Sequence, residues 1–445
     1  MRVSSAPVLF LVALSCLLAA CDDDGHGTAA TATPTHTATT VPTSTHTTVP
    51  TSTATAVPTS TPTVPPTATS TAPPTLTATA TETEVPTATS TPDRSTLLAE
   101  LTDTGIGRYL GRPVPTPSGF EGNWQRFDFA AKDEGPICLY GTDYRVYVRP
   151  GTSNNVLFYL EGGGGCWNDD TCWNDTRAKI DANPLAPLDL FPGVFQRLEP
   201  SNPFTDWNIV YVPYCDGSVF AGDNIADYEQ GRVWHRGVSN LSTGVDVMKS
   251  LFPNPDKIVV SGSSAGGFGT LSGYGVMRVA YPSSEILVLN DSGPGIQNQD
   301  DAEARNDRES NWRLAQFFPR SCTLCLGQPL FVVDWALQRD PTFRMGLFST
   351  LHDYVIRDFL ALTGEQYAEL LLDISGRVHS RTPERMKRFF VDDDFHTILL
   401  GAGIEPGESI GRAYRTLRVG NTLLKDWVKD FESNGPAWQD IVEGQ

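Results

Sequence analysis

A serine that attacks a carbonyl must stand clear of its own backbone, beside residues small enough to let the reacting carbon approach. Gly262-Ser263-Ser264-Ala265-Gly266 has that composition and fits the Gly-x-Ser-x-Gly nucleophile elbow. The β-branched run Ile258–Val260 before it predicts a buried strand, and Thr270–Val279 after it predicts a helix, which places Ser264 at the apex of a sharp turn. Attack on an ester generates an oxyanion that needs two or three N–H donors converging on one point. A second strand-like run, Val156–Leu160, ends in Glu161-Gly162-Gly163-Gly164-Gly165-Cys166, where glycines let the backbone come close. Gly163, Gly164 and Gly165, with Ala265 directly after the nucleophile, are therefore the candidate oxyanion donors. A phosphate-cradling reading of the same glycines lacks the Lys-Ser/Thr that follows such loops.

The hydroxyl needs a base. His235, His352, His379 and His396 are the histidines outside the N-terminal tail. In elbow hydrolases the order along the chain is serine, acid, histidine, which excludes His235. His396 follows the apolar run Phe389–Val391 and the polar Asp392-Asp393-Asp394, the position expected for a base just past a last strand. Phe343–Phe348 reads as a strand, and Asp353 on the loop after it is the chosen acid. It would fix the imidazole tautomer and stabilise the imidazolium. Asp291, after the strand-like Ile286–Leu289, is the rival.

Leu160-Glu161-Gly162-Gly163-Gly164 with Cys166, then Gly262-Ser263-Ser264-Ala265-Gly266-Gly267, then Asp291-Ser292-Gly293 resembles the pectin acetylesterase family, which includes the Notum carboxylesterases. The likeness runs from about Phe120 to Thr397. It also touches Val212-Pro213-Tyr214-Cys215 and Arg236-Gly237…Asn240. It implies a serine carboxylic-ester hydrolase that removes acetyl or other acyl groups and needs no cofactor or metal. It treats Asp291-Ser292-Gly293 as a structural turn and pairs Cys138 with Cys215. Gly165 departs from the pattern, because relatives carry a bulky aromatic there, and Trp167 comes two residues later.

The elements that must hold these residues alternate. Strand-like runs at Tyr144–Val148, Val156–Leu160, Ile209–Val212, Ile258–Val260 and Ile286–Leu289 are separated by helix-length segments. This predicts an α/β, α/β-hydrolase-like fold: a mostly parallel sheet with helices on both faces. Residues 301–390, with amphipathic stretches such as Arg357–Leu372, are expected to form a helical lid or cap.

The N-terminal part reads as export and tether. Residues 1–20 carry Arg2 and the apolar stretch Val8–Ala20, too short for a membrane span, and Leu18-Ala19-Ala20-Cys21 fits a lipobox. Cys21 is expected to carry lipid and anchor the chain to a membrane. Residues 21–94 form a Thr/Pro-rich stalk that cannot bury a core, and residues 95–445 the catalytic domain. The expected location is the bacterial cell envelope or beyond it.

Of the remaining cysteines, Cys166 and Cys172 would close a short loop behind the glycines, and Cys322 and Cys325 a local bridge. An even count on an exported chain favours disulfides over metal. The formal net charge of −19 over 445 residues argues against nucleic-acid binding. It also disfavours polyanions without a local basic patch. An acylated polysaccharide, a small ester or an acylated protein remain as substrates. The other class of reading is a non-catalytic surface binding or adhesion module on a hydrolase scaffold.

Overall fold

The computed structural model describes residues 94–401 and 413–445. The leader, Cys21 and the stalk lie outside the described residues. Ten strands make one sheet: β1 (Gly119–Glu121), β2 (Trp124–Phe129), β3 (Tyr144–Arg149), β4 (Val156–Leu160), β5 (Asn208–Val212), β6 (Lys257–Ser263), β7 (Glu285–Asp291), β8 (Arg344–Thr350), β9 (Met386–Val391) and β10 (Ile441–Val442). Their spatial order is β1-β2-β3-β5-β4-β6-β7-β8-β9-β10. Pairing is antiparallel from β1 to the β3–β5 pair and parallel from β5 onwards. The expected α/β class is what the chain adopts.

The continuous apolar runs follow from burial on both faces. In β4, Val156, Phe158 and Leu160 join one core cluster, while Leu157 and Tyr159 join another on the opposite face, the period of two that a strand imposes. Helices α1 (Arg94–Asp103), α2 (Gly237–Leu251), α3 (Ala265–Ala280), α5 (Phe331–Leu337) and α7 (Gly364–Arg381) feed the first cluster. Helix α8 (Leu424–Ser433) packs Trp427 and Phe431 into the second. Helices α4 (Ala302–Trp312) and α6 (Tyr354–Phe359) contribute Arg308, Trp312, Ile356 and Phe359 to the pocket described below.

Three expectations are corrected. Residues 301–390 are not a separate helical lid, since β8 and most of β9 are strands of the main sheet and divide that segment. Arg357–Leu372 is not one helix. It breaks between α6 and α7, where Ala361 has a positive φ and Thr363 begins α7 with a reciprocal capping box to Gln366. The helix after the elbow also starts earlier than Thr270, at Ala265. Glycine content disguised this helix. A Cβ at Gly266 would overlap the Leu160 carbonyl, so the glycine permits close helix-to-strand packing.

Candidate active site

Register brings the candidate residues to one edge of the sheet. Leu160 pairs with Gly262, Ser263 with Asp291, Asp291 with Phe348, and Thr350 with Val391. The loops leaving β4, β6, β7, β8 and β9 therefore emerge side by side at the carboxyl ends of parallel strands, where open α/β sheets bind ligands.

Ser264 sits between β6 and α3 with φ 57° and ψ −123°. A non-glycine residue held there is strained and persists only where surrounding contacts fix it. Its N–H donates to the Asp291 carbonyl at 2.8 Å, and its carbonyl accepts from Phe268 at 3.0 Å. The side chain is nearly buried and opens into a pocket that also touches Gly164, Gly165 and Ala265.

The glycine loop is fastened to a neighbouring segment. Gly165 N–H donates to the Arg177 carbonyl, and Lys179 N–H donates to the Gly163 carbonyl. Gly165 therefore has its N–H engaged, unlike Gly163 and Gly164, whose N–H groups have no partner among the described residues. Glu161, fully buried, accepts from the Tyr214 and Leu185 amides and lies 3.1 Å from Lys179 Nζ. These bonds hold the start of the loop where β4 ends.

His396 and Asp353 meet. Nδ1 of His396 lies 2.8 and 3.0 Å from the two Asp353 oxygens. The same carboxylate caps α6, accepting from Val355 and Ile356 amides at 3.0 Å each, so its orientation is fixed by backbone. The other ring nitrogen, Nε2, is buried with no hydrogen-bond partner. An Nδ1–H held by a carboxylate leaves Nε2 as the proton acceptor.

Asp291 occupies a different place from the acid role it rivalled. Its buried carboxylate accepts from Ser263 Oγ at 2.6 Å and from the Ile398 and Leu399 amides at 2.9 to 3.1 Å. Tyr159 donates to the same Ser263 hydroxyl at 2.5 Å. Asp291 thus ties the elbow to the loop carrying His396, and Thr397 N–H reaches Ser292 Oγ at 3.3 Å. Burial pushes its carboxyl up from the ordinary range, against the hydrogen bonds that favour the anion.

The other histidines lie elsewhere. His352 Nε2 is 3.2 Å from Asp392 in a half-exposed pair, and His379 Nδ1 bonds the Met386 carbonyl. His235 is fully buried between Tyr228 and the Asp216 carbonyl, and burial lowers its pKa to about 4. Cys166, Cys172 and His235 lie close enough to share an ion. The two sulfurs are joined in a disulfide, however, which leaves no thiolate to ligate one. Cys138–Cys215 and Cys322–Cys325 are bonded as well.

Sequence reading missed the pocket wall. It contains Phe268, Leu271, Ser272 and Gly275 of α3, a set spaced as one helical face from Ser264 onwards. Three turns of helix make this wall about 16 Å long. Leu101 and Ile106 close it from the N-terminal segment, and Trp167, Trp312, Phe317 and Phe359 line it elsewhere. The helical spacing was visible, but nothing in the sequence tells a pocket-facing apolar residue from a core one.

Residues 127–323 match the family model described as Pectinacetylesterase. Over this span, less than half of its length, the chain is similar to the pectinacetylesterase family. The matched span holds the glycine loop and Ser264, and ends before Asp353 and His396. The chain is 32% identical over 175 residues to pectin acetylesterase 4 of Arabidopsis thaliana, covering 38% of this chain and 43% of that protein. It is 30% identical over 190 residues to pectin acetylesterase 5 of the same plant, covering 41% and 44%. It is 33% identical over 143 residues to palmitoleoyl-protein carboxylesterase NOTUM of Schmidtea mediterranea, covering 30% and 27%. The chain thus spans less than half the length of these relatives. Among the described residues no helix is long and apolar enough to cross a membrane.

Proposed function

We propose that the chain is a serine carboxylic-ester hydrolase with Ser264 as nucleophile, His396 as general base and Asp353 as the group that orients it. One observation carries this reading: a buried imidazole whose Nδ1 is bonded to a buried carboxylate while Nε2 lacks a partner, on the loop that Asp291 ties to a strained serine. Leaving a buried polar atom unpaired costs about 1–3 kcal/mol, and such an atom calls for an explanation. Acceptance of the Ser264 hydroxyl proton during attack supplies one.

In the reaction, Nε2 takes the hydroxyl proton as Oγ bonds to the ester carbon. The carbonyl oxygen becomes an oxyanion held by the N–H groups of Ala265, Gly163 and Gly164. The C–O bond to the alcohol then breaks, and the imidazolium returns the proton to the leaving oxygen. Water, deprotonated by the same nitrogen, releases the acid and restores Ser264. The pocket wall beside α3 is almost wholly apolar and far longer than an acetyl methyl requires, which supports acceptance of larger acyl groups too. The acylated substrate is a polysaccharide, a small ester or a protein met outside the cell. The export signal and Cys21 support an envelope lipoprotein.

The test is hydrolysis of p-nitrophenyl acetate, butyrate and octanoate by the full chain, Ser264→Ala and His396→Ala. Loss of at least about a thousandfold in kcat is expected for both variants. Equal turnover by wild type and Ser264→Ala would move the reading to a binding module on a hydrolase scaffold.

A further inference from the structure

Arg308 is the unexplained charge of the pocket. It lies on α4, whose buried residues are Arg308 and Trp312, spaced four apart and so on one face. Helix α4 is bonded to the exit of the glycine loop: Trp312 Nε1 donates to the Cys166 carbonyl and Asn311 Nδ2 to the Trp167 carbonyl, each at 2.8 Å. Arg308 is only 8% exposed and lines the same pocket as Ser264, Ala265 and Gly164. Its guanidinium lies 5.0 Å from the centre of the Trp167 ring.

Among the described residues Arg308 has no ion pair and no hydrogen bond. The charged groups of its own helix are turned to other tasks. Asp301 caps α4, Asp307 accepts from Asn168, and Arg305 donates to Gln299. Burial lowers the Arg308 pKa from its ordinary value, yet a guanidinium stays protonated in proteins. Asp301 and Asp307 attract it from beyond ion-pair distance and Arg305 repels it; a buried cation without a directly bonded anion is costly, and stacking on one indole offsets only part of that cost. A planar fork of donors facing a ligand pocket matches a carboxylate, which it can hold by two parallel bonds.

We propose that Arg308 binds a carboxylate of the substrate, beside the ester that Ser264 attacks. This rests on the esterase reading above. The net charge of −19 does not oppose it. Charges farther away than about 8 Å are screened at physiological salt, whereas a partner inside the pocket feels Arg308 directly. The carboxylate has two possible sources: the alcohol, as in an acetylated uronic acid, or the far end of a dicarboxylic acyl group.

Two matched pairs separate them, assayed with the full chain. On the alcohol side, acetate release is compared between O-acetyl galacturonic acid and its methyl uronate. On the acyl side, p-nitrophenol release is compared between p-nitrophenyl hydrogen succinate and its methyl ester. The wild type is expected to favour the charged member of one pair by about tenfold or more in kcat/KM, the strength of a charge-assisted bond. Arg308→Gln should bring that ratio close to one, and Arg308→Lys should leave an intermediate value.

A ratio near one for both pairs in the wild type overturns the proposal, as does an unchanged ratio in Arg308→Gln. Release from p-nitrophenyl acetate, and its loss in Ser264→Ala, reports on the esterase reading separately. Should no ester turn over, calorimetric titration of galacturonate and succinate into wild type and Arg308→Lys decides the question. Binding that is absent in the wild type, or equal in both, also overturns the proposal.

Discussion

Replacing one oxygen of Asp353 by an amide nitrogen separates its two duties. As the residue that begins α6, asparagine caps nearly as well as aspartate, so Asp353→Asn should cost under about 1 kcal/mol in unfolding free energy. As the partner of His396 Nδ1, the amide favours the wrong tautomer and removes the charge facing the imidazolium. A loss of about 10³ to 10⁴ in kcat is expected with little change in the urea midpoint. A fall in stability with kcat intact would assign Asp353 to capping alone. Asp216 gives a different single-residue test. Its carboxyl is fully buried, and burial raises its pKa from 3.8 to about 6 against the Ser218 bonds that favour the anion. The stability attached to this group is fully present below pH 3.8, and is lost as pH rises through about 6. A shift of about 2 units corresponds to about 3 kcal/mol. His235, with its pKa lowered to about 4, has the opposite slope, its contribution being lost as pH falls below 6.5. The stability of Asp216→Asn relative to wild type, measured by urea unfolding at pH 4 to 7, should rise by about 2 kcal/mol between pH 4 and pH 6. A difference that does not change with pH would mean that Asp216 does not titrate in this window.

Among the elements, those with one repeating pattern were readable and those set by contact were not. Val156–Leu160 was found to the residue because an uninterrupted apolar run of that length has few fates other than a buried strand. That Asp353 and His396 come together was legible because each follows a strand, and loops after parallel strands share one edge of the sheet. The start of α3 was misplaced because glycines that serve close packing look like a turn. The breadth of the pocket escaped notice because its wall includes α1 and the turn after it, remote in sequence from Ser264. Ile106 is the informative residue of that turn. Its Cδ1 would lie 2.9 Å from a Cβ at Gly275, so it rests directly on the far end of the α3 wall. Ile106→Trp should fill that end and lower the octanoate-to-acetate ratio of kcat/KM by about tenfold, with overpacking costing about 1–3 kcal/mol. An unchanged ratio in a folded variant would mean that acyl chains do not run along α3.

For the whole molecule, the disulfides differ chiefly in how much chain each restrains. Cys138–Cys215 spans 77 positions, Cys166–Cys172 spans 6 and lies within the first loop, and Cys322–Cys325 spans 3. On loop-closure entropy alone, the longest cross-link restrains the unfolded chain by about 4–5 kcal/mol and the shortest by about 1–2. The long loop also contains β3, β4, the glycine loop and β5, so loosening it loosens the edge of the sheet that carries the candidate site. Leu139 N–H bonds the Cys215 carbonyl at 2.6 Å, and Cys166 N–H the Gly217 carbonyl at 2.9 Å, which joins the two bridged regions into one layer behind the glycines. The double variant Cys138→Ser/Cys215→Ser should therefore lose several kcal/mol in urea unfolding and show reduced esterase turnover well below its unfolding midpoint. Cys322→Ser/Cys325→Ser should lose far less stability and keep its turnover, because its loop is short and lies away from the glycine loop in sequence. Equal losses for the two double variants would mean that the bridges act through local native contacts rather than through the freedom they remove from the unfolded chain.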